Sequence, residues 1–232
     1  MFPLVIIKVQ TTYQHSINIS IYFVVNTPTK VEKQFWQKGL NLVAGLDEAG
    51  RGAWAGPLVA AAVIFPINIR RPTKTYKIFI RDSKLLNQKQ REKAFQWIIE
   101  NCSSYGIGVV SEKVIDHLGL TKSGQLVFER ALQNLSIIPE HVLVDAYKLQ
   151  DDISHTAIIH GDRKVFSISA ASIVAKVARD KLMLEHDQEY GEYGFSSHMG
   201  YGTRLHQSRL KKFGPCALHR FSFRPIHQLM SK

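Results

Sequence analysis

Residues 42–65, LVAGLDEAGRGAWAGPLVAAAVIF, contain two apolar runs separated by a short turn. The first run, 42–46, and the second, 58–65, each have the length and apolar character of a β-strand. The second run is apolar almost throughout, which is typical of a strand buried on both faces of a sheet. Because the segment between them is short, the pattern predicts a hairpin at the centre of the fold.

The rest of the chain alternates strand patterns with helix patterns. Asn87 is placed to cap a helix that continues to about residue 101, with apolar residues at helical spacing. This mixture predicts an α/β fold with a mixed sheet. The other predicted strands are 105–110, 141–144 and 157–159, and the other predicted helices lie around 112–118, 122–135 and 169–187, with one or two more at the C-terminal end.

The length and composition favour one main domain. The chain has 232 residues, of which 45% are apolar, enough for one sizeable core. Residues 1–27 alternate only weakly and form a predicted N-terminal extension whose role the sequence does not indicate. Residues 28–232 form the predicted main domain, with a basic helical region at about 188–232. Two distant cysteines, Cys102 and Cys216, give no disulfide framework, so we expect a cytoplasmic protein. We also expect it to be a monomer.

Basic residues concentrate near the C-terminal end of the sequence. The formal net charge is +11, from 30 Lys and Arg against 19 Asp and Glu, and no acidic residue follows Glu192. Such a segment favours contact with the phosphates of a nucleic acid, although solubility alone is the alternative. No uncharged apolar stretch has the length of a membrane span, so a membrane partner is not expected. The cations after Glu192 are Arg204, Arg209, Lys211, Lys212, Arg220, Arg224 and Lys232.

Carboxylates follow three of the predicted strands. Asp47 and Glu48 come after the first, Asp145 after the strand at 141–144, and Asp162 after the strand at 157–159. In α/β sheets, sites gather at the carboxyl ends of the strands. Four converging acids would repel one another unless they held divalent cations such as Mg²⁺ or Mn²⁺. The alternative is that each acid is an ordinary turn or cap residue.

The adjacent acids impose a geometric condition on the first strand. Neighbouring residues in a regular strand point to opposite faces of the sheet. We therefore expect Asp47 and Glu48 to serve one site only if the strand ends or bulges at Asp47. Two metal ions bound there would suit an in-line displacement at phosphorus.

The turn after these acids is poor in side chains. Gly50 and Gly52 let the backbone come close to a ligand, and Arg51 between them supplies a forked donor for phosphate or sugar oxygens. An ordinary tight turn with a solvated arginine is the alternative. The spacing fits neither a Walker A loop nor a dinucleotide-binding fingerprint.

Taken together, these motifs resemble the signature blocks of type 2 ribonuclease H, ribonuclease HII. The resemblance runs in order from about residue 28 to residue 225. It is carried by LDEAGRGAWAGP at 46–57, RDSKLL at 81–86, VLVD at 142–145, ISAASIVAKVARD at 168–180, GYGT at 200–203 and HRFSFRP at 219–225.

The resemblance implies a ribonuclease H-like fold with a helical C-terminal portion. It implies cleavage of the RNA strand of RNA–DNA hybrids and incision at single ribonucleotides embedded in duplex DNA, leaving 3′-hydroxyl and 5′-phosphate ends. The implied cofactors are two divalent ions, Mn²⁺ or Mg²⁺. By position, the implied catalytic metal ligands are Asp47, Glu48, Asp145 and Asp162, and the implied substrate-binding residues are Gly50, Arg51 and Gly52 at the ribonucleotide and Tyr201 at the sugar beyond it.

Four residues depart from the family pattern. Ala146 stands where glycine is usual, His160 where a lysine often precedes Gly-Asp, and His198-Met199 where Asn-Lys is frequent. None of them removes an implied metal ligand.

Two other functions are weighed against this one. A ribonuclease HIII-like enzyme usually lacks the arginine of the turn and carries a larger N-terminal domain, so Arg51 and the short N-terminal segment argue against it. A catalytically inactive hybrid-binding protein is the nonenzymatic alternative. The four acids, all present, argue against that second possibility.

Overall fold

The computed structural model describes residues 26–72, 77–149 and 153–230. The predicted N-terminal extension therefore lies outside the described residues, except for Asn26 and Thr27. No helix in the described ranges combines the length and apolar character needed to cross a bilayer. The strands are β1 (Val43–Ala49), β2 (Leu58–Ile64), β3 (Ser104–Val110), β4 (His141–Asp145) and β5 (His155–Ile158), and the helices are α1 (Lys30–Trp36), α2 (Gln88–Asn101), α3 (Glu112–Gln133), α4 (Gly161–Lys164), α5 (Phe166–Glu189), α6 (Phe195–His198), α7 (Arg204–Phe213) and α8 (Arg224–Met230).

The five strands form one mixed sheet in the order β3-β2-β1-β4-β5. The predicted hairpin is confirmed, since β1 and β2 are antiparallel with Ala44 opposite Ile64 and Ala49 opposite Val59. β3 continues the antiparallel part, whereas β4 and β5 are parallel to β1 and to each other. The carboxyl ends of β1, β4 and β5 consequently lie along the same edge of the sheet.

Helices cover both faces of this sheet. α2 and α5 pack with one face of β2 in one apolar cluster, and α3 packs against the opposite face in another. β3 approaches α3 closely because it carries glycines: a Cβ at Gly106 or Gly108 would lie 2.2 Å from a carbonyl oxygen of that helix. The helices predicted at 112–118 and 122–135 are confirmed as the two parts of α3, which lie on either side of a kink with non-helical geometry at Gly119 (φ 77°, ψ 162°).

The first turn of α5 lies directly on β1. A Cβ at Gly45 would come within 2.1 Å of the carbonyl carbon of Ser167, so only glycine permits this approach. Val165, the residue that precedes α5, makes no side-chain cap. Instead, the buried carboxylate of Glu32 accepts hydrogen bonds from the main-chain N–H of Ser167 (2.7 Å) and from its hydroxyl (2.9 Å). An acid from α1 therefore supplies the N-terminal partner of the longest helix among the described residues.

The C-terminal helices form a smaller unit beside the end of α5. Their apolar cluster includes Met183 of α5, Ala55 of the turn, and Phe195, Leu210 and Ile226. The predicted helical C-terminal portion is thus confirmed. Most of its cations are exposed, as a phosphate-facing surface requires, but Arg220 is fully buried and cannot belong to that surface.

Three histidines lie inside this unit. The rings of His198 and His206 stack with centroids 4.4 Å apart, and Nε2 of His206 lies 3.0 Å from Nε2 of His219. Burial is the main cause that lowers the pKa of both His206 and His219 to about 4. The contact between the two Nε2 atoms also requires at least one neutral ring, because one nitrogen must accept the proton of the other.

The histidine cluster predicts acid sensitivity. As the pH falls from 6.5 towards 4, the unfolded chain takes up protons that the buried rings exclude, so the free energy of unfolding should fall by about 1.4 kcal/mol per pH unit and per histidine. Urea unfolding at a series of pH values measures this slope. His206→Gln should reduce the slope, whereas His117→Gln, a change at an exposed ring, should leave it intact. An unchanged slope in His206→Gln would contradict the assignment.

Candidate active site

Two of the predicted site acids meet at the parallel pair of β1 and β4. Leu46 lies opposite Val144 in the register of this pair, so Asp47 and Asp145 are adjacent at the end of the ladder. Asp47 is buried, with 7% of its surface exposed. Burial, and then the neighbouring charges of Glu48 and Asp145, raise the pKa of Asp47 well above its usual value, while a hydrogen bond from Ser172 opposes the shift.

Glu48 belongs to the same electrostatic group. Burial raises its pKa, Arg51 lowers it, and Asp145 raises it further. The Arg51 guanidinium lies 3.7 Å from the Glu48 carboxylate. The condition set on β1 is not met: the strand was predicted to end at Leu46, but it continues through Asp47 and Glu48 and pairs regularly with β2 as far as Ala49. Regular pairing does not take either acid out of electrostatic reach of Asp145, because that residue closes the adjacent strand.

Asp162 reaches the same edge from α4. The main-chain N–H of Gly161 donates to the Asp145 carboxylate at 2.7 Å, which ties the start of α4 to the end of β4. Burial, and then the charges of Asp82 and Asp145, raise the pKa of Asp162, while Lys84 and Arg163 oppose the shift. Asp145 therefore acts electrostatically on each of the other three predicted acids.

Three further charged residues, Asp82, Lys84 and Arg163, act electrostatically on Asp162. The sequence did not reveal this role. Asp82 is 1% exposed and accepts hydrogen bonds from Nε of Arg163 (3.1 Å) and from the main-chain N–H of Lys84 (3.0 Å). The ammonium of Lys84 lies 3.9 Å from Asp162. Ion pairs thus join the 81–86 segment to α4. In the sequence, only the Asp-Ser-Lys motif indicated that this segment belongs near the site.

The four acids have the chemistry of a site for hard divalent cations. They offer only oxygen donors, and the pKa values of Asp47, Glu48 and Asp162 are raised first by burial and then in part by the charges of neighbouring acids. Among the described residues no three such side chains already surround a common metal position. The fit to a divalent ion therefore rests on donor type and on uncompensated charge.

Gly50 and Gly52 occupy very different surroundings in the turn. Gly50 has φ 94°, and a Cβ there would lie 2.0 Å from Nε of Arg179, so the protein itself requires this glycine. Gly52 is exposed, its φ is not positive, and a Cβ would meet nothing within 4 Å. Within the described residues, the main-chain N–H groups of Arg51 and Gly52 have no hydrogen-bond partner. The turn therefore presents two free donors and an open glycine to its surroundings.

Tyr201 is brought to this turn by main-chain pairing. The N–H groups of Trp54 and Ala55 donate to the carbonyl of Gly200, at 2.8 and 3.3 Å. Two cations lie over the half-buried ring of Tyr201, with Nζ of Lys176 5.5 Å and the guanidinium carbon of Arg179 5.3 Å from its centroid. The structure thus links the predicted substrate tyrosine to the glycine-arginine turn.

Comparison with known proteins decides the family. The model of the family "Ribonuclease HII" matches residues 44–226. The chain belongs to the ribonuclease HII family. The ribonuclease HII of Acetivibrio thermocellus is 44% identical over 193 residues, which cover 83% of this chain and 73% of that protein. Members of this family are metal-dependent ribonucleases H, and this chain is therefore an endoribonuclease that acts on RNA–DNA hybrids.

Solved structures agree on the fold. The crystal structure of ribonuclease H2 from Pyrococcus horikoshii OT3 superposes with a TM-score of 0.67 at 29% identity, covering 82% of this chain and 97% of its own. Bst-RNase HIII, solved in complex with Mn²⁺, has a TM-score of 0.66 at 19% identity, covering 88% of this chain and 73% of its own. The predicted α/β fold of the ribonuclease H type is confirmed.

Three of the four residues that depart from the ribonuclease HII pattern carry left-handed backbone. Ala146 has φ 46°, His160 has φ 58° and Met199 has φ 50°. Glycine adopts this region of the backbone without strain. The glycine that is usual at the position of Ala146 would thus suit the backbone there better than alanine does.

Replacing Asp47 should show how far its buried negative charge destabilises the folded protein. Because the folded-state pKa of Asp47 is raised, the contribution of Asp47 to the free energy of unfolding is highest below the usual carboxyl pKa and is lost as the pH rises through the folded-state value. In chelator at neutral pH, Asp47→Asn should therefore unfold at a higher temperature than the unmodified protein. Mn²⁺ at a hundred times its Kd should stabilise the unmodified protein by about 2.7 kcal/mol, and the variant by much less.

Thermal unfolding with chelator and with Mn²⁺ makes this comparison. Glu92→Gln, a change at an exposed acid of α2, is the matched control and should behave as the unmodified protein in both conditions. A variant that gains as much stability from Mn²⁺ as the unmodified protein would remove Asp47 from the metal site.

Proposed function

We propose that this ribonuclease HII incises duplex DNA at single embedded ribonucleotides, in addition to cutting the RNA strand of hybrids. The observation that carries the proposal is the open glycine turn next to the buried acids. Only the 2′-hydroxyl, with its effect on helix shape, distinguishes one ribonucleotide from its DNA neighbours. A main chain with free N–H donors and no side chain in the way can contact that hydroxyl closely.

The proposed metal ligands are Asp47, Glu48, Asp145 and Asp162, with Mn²⁺ or Mg²⁺ as the ions. When bound, two such ions supply an activated water and stabilise the leaving oxygen of an in-line displacement. The acids hold negative charge at one edge of the sheet, where Asp145 couples the other three. The cut would leave 3′-hydroxyl and 5′-phosphate ends.

Cations around the acids are suited to positioning the substrate backbone. Arg51 is 42% exposed, and Lys84 and Arg163 are 82% and 62% exposed. Each faces an acid and still has surface free for a phosphate oxygen. Three cations of α7 are also exposed and would add to this basic surface: Arg204, Lys211 and Lys212. We propose that the chain binds the duplex as a monomer along this surface.

Two alternatives lose support. The family match favours ribonuclease HII over a ribonuclease HIII-like enzyme, whose solved relatives share the fold at low identity. A hybrid-binding protein with an inactive site would have no need to crowd uncompensated acids at this edge, since their mutual repulsion costs stability.

The deciding experiment is cleavage of a labelled DNA duplex that contains one ribonucleotide, with Mn²⁺, with Mg²⁺ and with chelator. A single metal-dependent cut on the 5′ side of the ribonucleotide is expected. Cleavage of a uniform hybrid without this cut would refute the proposed incision and retain the ribonuclease H activity. Asp47→Asn should bind the duplex and leave it intact, and turnover by this variant at the unmodified rate would refute its assignment.

Three glycine substitutions separate substrate recognition from folding. Gly52→Ala should fold normally but cut at the embedded ribonucleotide at least tenfold more slowly, because a methyl group then stands where the hydroxyl approaches. Gly50→Ala should destabilise the protein, since its Cβ meets Arg179. Gly191→Ala is the matched control, because that glycine also has open space around it and lies in the 191–193 turn. Cleavage rates and melting temperatures of all three variants test these expectations. Normal incision by Gly52→Ala would contradict the proposed role of the turn.

A further inference from the structure

Two arginines are buried beside the glycine turn. Arg179 of α5 and Arg220, which precedes α8, have no exposed surface and are the largest fully buried side chains in the described residues. Burial is the main cause that lowers the pKa of each, that of Arg220 to about 9. Burying a guanidinium is costly unless its donors are well matched. Their partners should therefore indicate what these residues do.

Every hydrogen bond that the structure gives these guanidinium groups goes to a main-chain carbonyl. Arg179 donates to Pro57 (2.9 Å), Ala55 (3.1 Å) and Met199 (2.9 Å). Arg220 donates twice to Gly56 (2.9 and 3.0 Å) and once to Arg51 (3.2 Å). Within the described residues neither forms an ion pair with a carboxylate.

The contacts of Arg179 join the two predicted substrate elements. Its Nε fills the space that a Cβ at Gly50 would need. Its guanidinium carbon lies 5.3 Å from the ring centroid of Tyr201, and it bonds the carbonyl of Met199, two residues before that tyrosine. The same side chain thus touches the first glycine of the turn, the end of the turn and the tyrosine.

Arg220 holds other carbonyls of the same turn, those of Gly56 and Arg51. By holding the carbonyl of Arg51 inward, it fixes the peptide that ends on the free N–H of Gly52. The planar fork of an arginine can hold two carbonyls in fixed directions, whereas a lysine ammonium cannot. A displacement of about 1 Å at such a site is enough to cost a hundredfold in rate.

We infer that Arg179 and Arg220 are positioning residues that set the specificity for an embedded ribonucleotide, by holding the glycine turn and Tyr201 in one register. The inference rests on the proposed incision at single ribonucleotides. The turn can contact a single 2′-hydroxyl in DNA in only one position, so a displaced turn no longer makes that contact. A uniform hybrid offers a hydroxyl at every nucleotide and an altered helix shape, so it tolerates the same displacement better.

The test uses Arg179→Lys and Arg220→Lys, which keep the charge and remove the fork. For each variant, kcat/KM is measured on DNA with one ribonucleotide and on a uniform RNA–DNA hybrid. The ratio of the two values should fall at least tenfold against the unmodified enzyme. Lys181→Arg, the reverse exchange at an exposed position of the same helix that faces Phe95, is the control and should leave the ratio unchanged. An equal loss on both substrates would overturn the inference.

Hydrogen exchange gives a readout that does not depend on cleavage. In both lysine variants the N–H groups of Trp54, Ala55 and Gly56, which are bonded to Gly200 and Leu218, should exchange faster, while those of β1 and β2 keep their protection. Exchange that is unchanged in the turn, or that rises equally in the sheet, would overturn the inference. If the unmodified enzyme fails to cut at a single ribonucleotide, the proposed function fails on its own, and the exchange pattern still decides whether the arginines hold the turn.

Discussion

The close contact between α5 and the backbone of β1 determines where the other functional groups lie. It depends on Gly45, because any side chain there would collide with the first turn of the helix. From that contact α5 runs as a rigid rod with a rise of about 1.5 Å per residue. Its Ser169 donates to the carbonyl of Asp162, its Ser172 lies near enough to Asp47 to lower the pKa of that carboxyl, and its Arg179 donates to the carbonyl of Pro57 in the turn. One helix therefore sets the spacing between the acids and the elements proposed to bind substrate.

The cations of this protein are placed so that they compensate the negative charge of the site acids only in part. The two buried guanidinium groups are stabilised by hydrogen bonds to main-chain carbonyls rather than by carboxylates. The cations that do face the acids, Arg51, Lys84 and Arg163, are partly exposed, so water screens them. The negative charge at the ends of β1 and β4 is thus only weakly compensated by the protein. A divalent cation is the partner that such an arrangement can accommodate.

The sequence predicts those features that depend on neighbouring residues. The hairpin, the Asn87 cap of α2 and the position of Asp145 at the end of β4 all follow from local patterns, and the structure confirms the cap by its bond to the N–H of Gln90. The start of α5 was predicted three residues too late, because its partner Glu32 lies far away in the chain. The roles of Asp82, Ser172 and the two buried arginines depend on tertiary contacts. In the sequence they look like ordinary loop, packing and surface residues.

The arrangement along α5 also limits how this sequence can change in length. Inserting or deleting one residue between Ser172 and Arg179 would turn everything beyond it by about 100° around the helix axis. Arg179 would then leave the glycine turn while Ser172 stayed at Asp47. Point changes at exposed positions of the helix carry no such consequence. Over evolutionary time, descendants of this chain should therefore gain and lose residues in the loops and keep the length of this part of α5 constant.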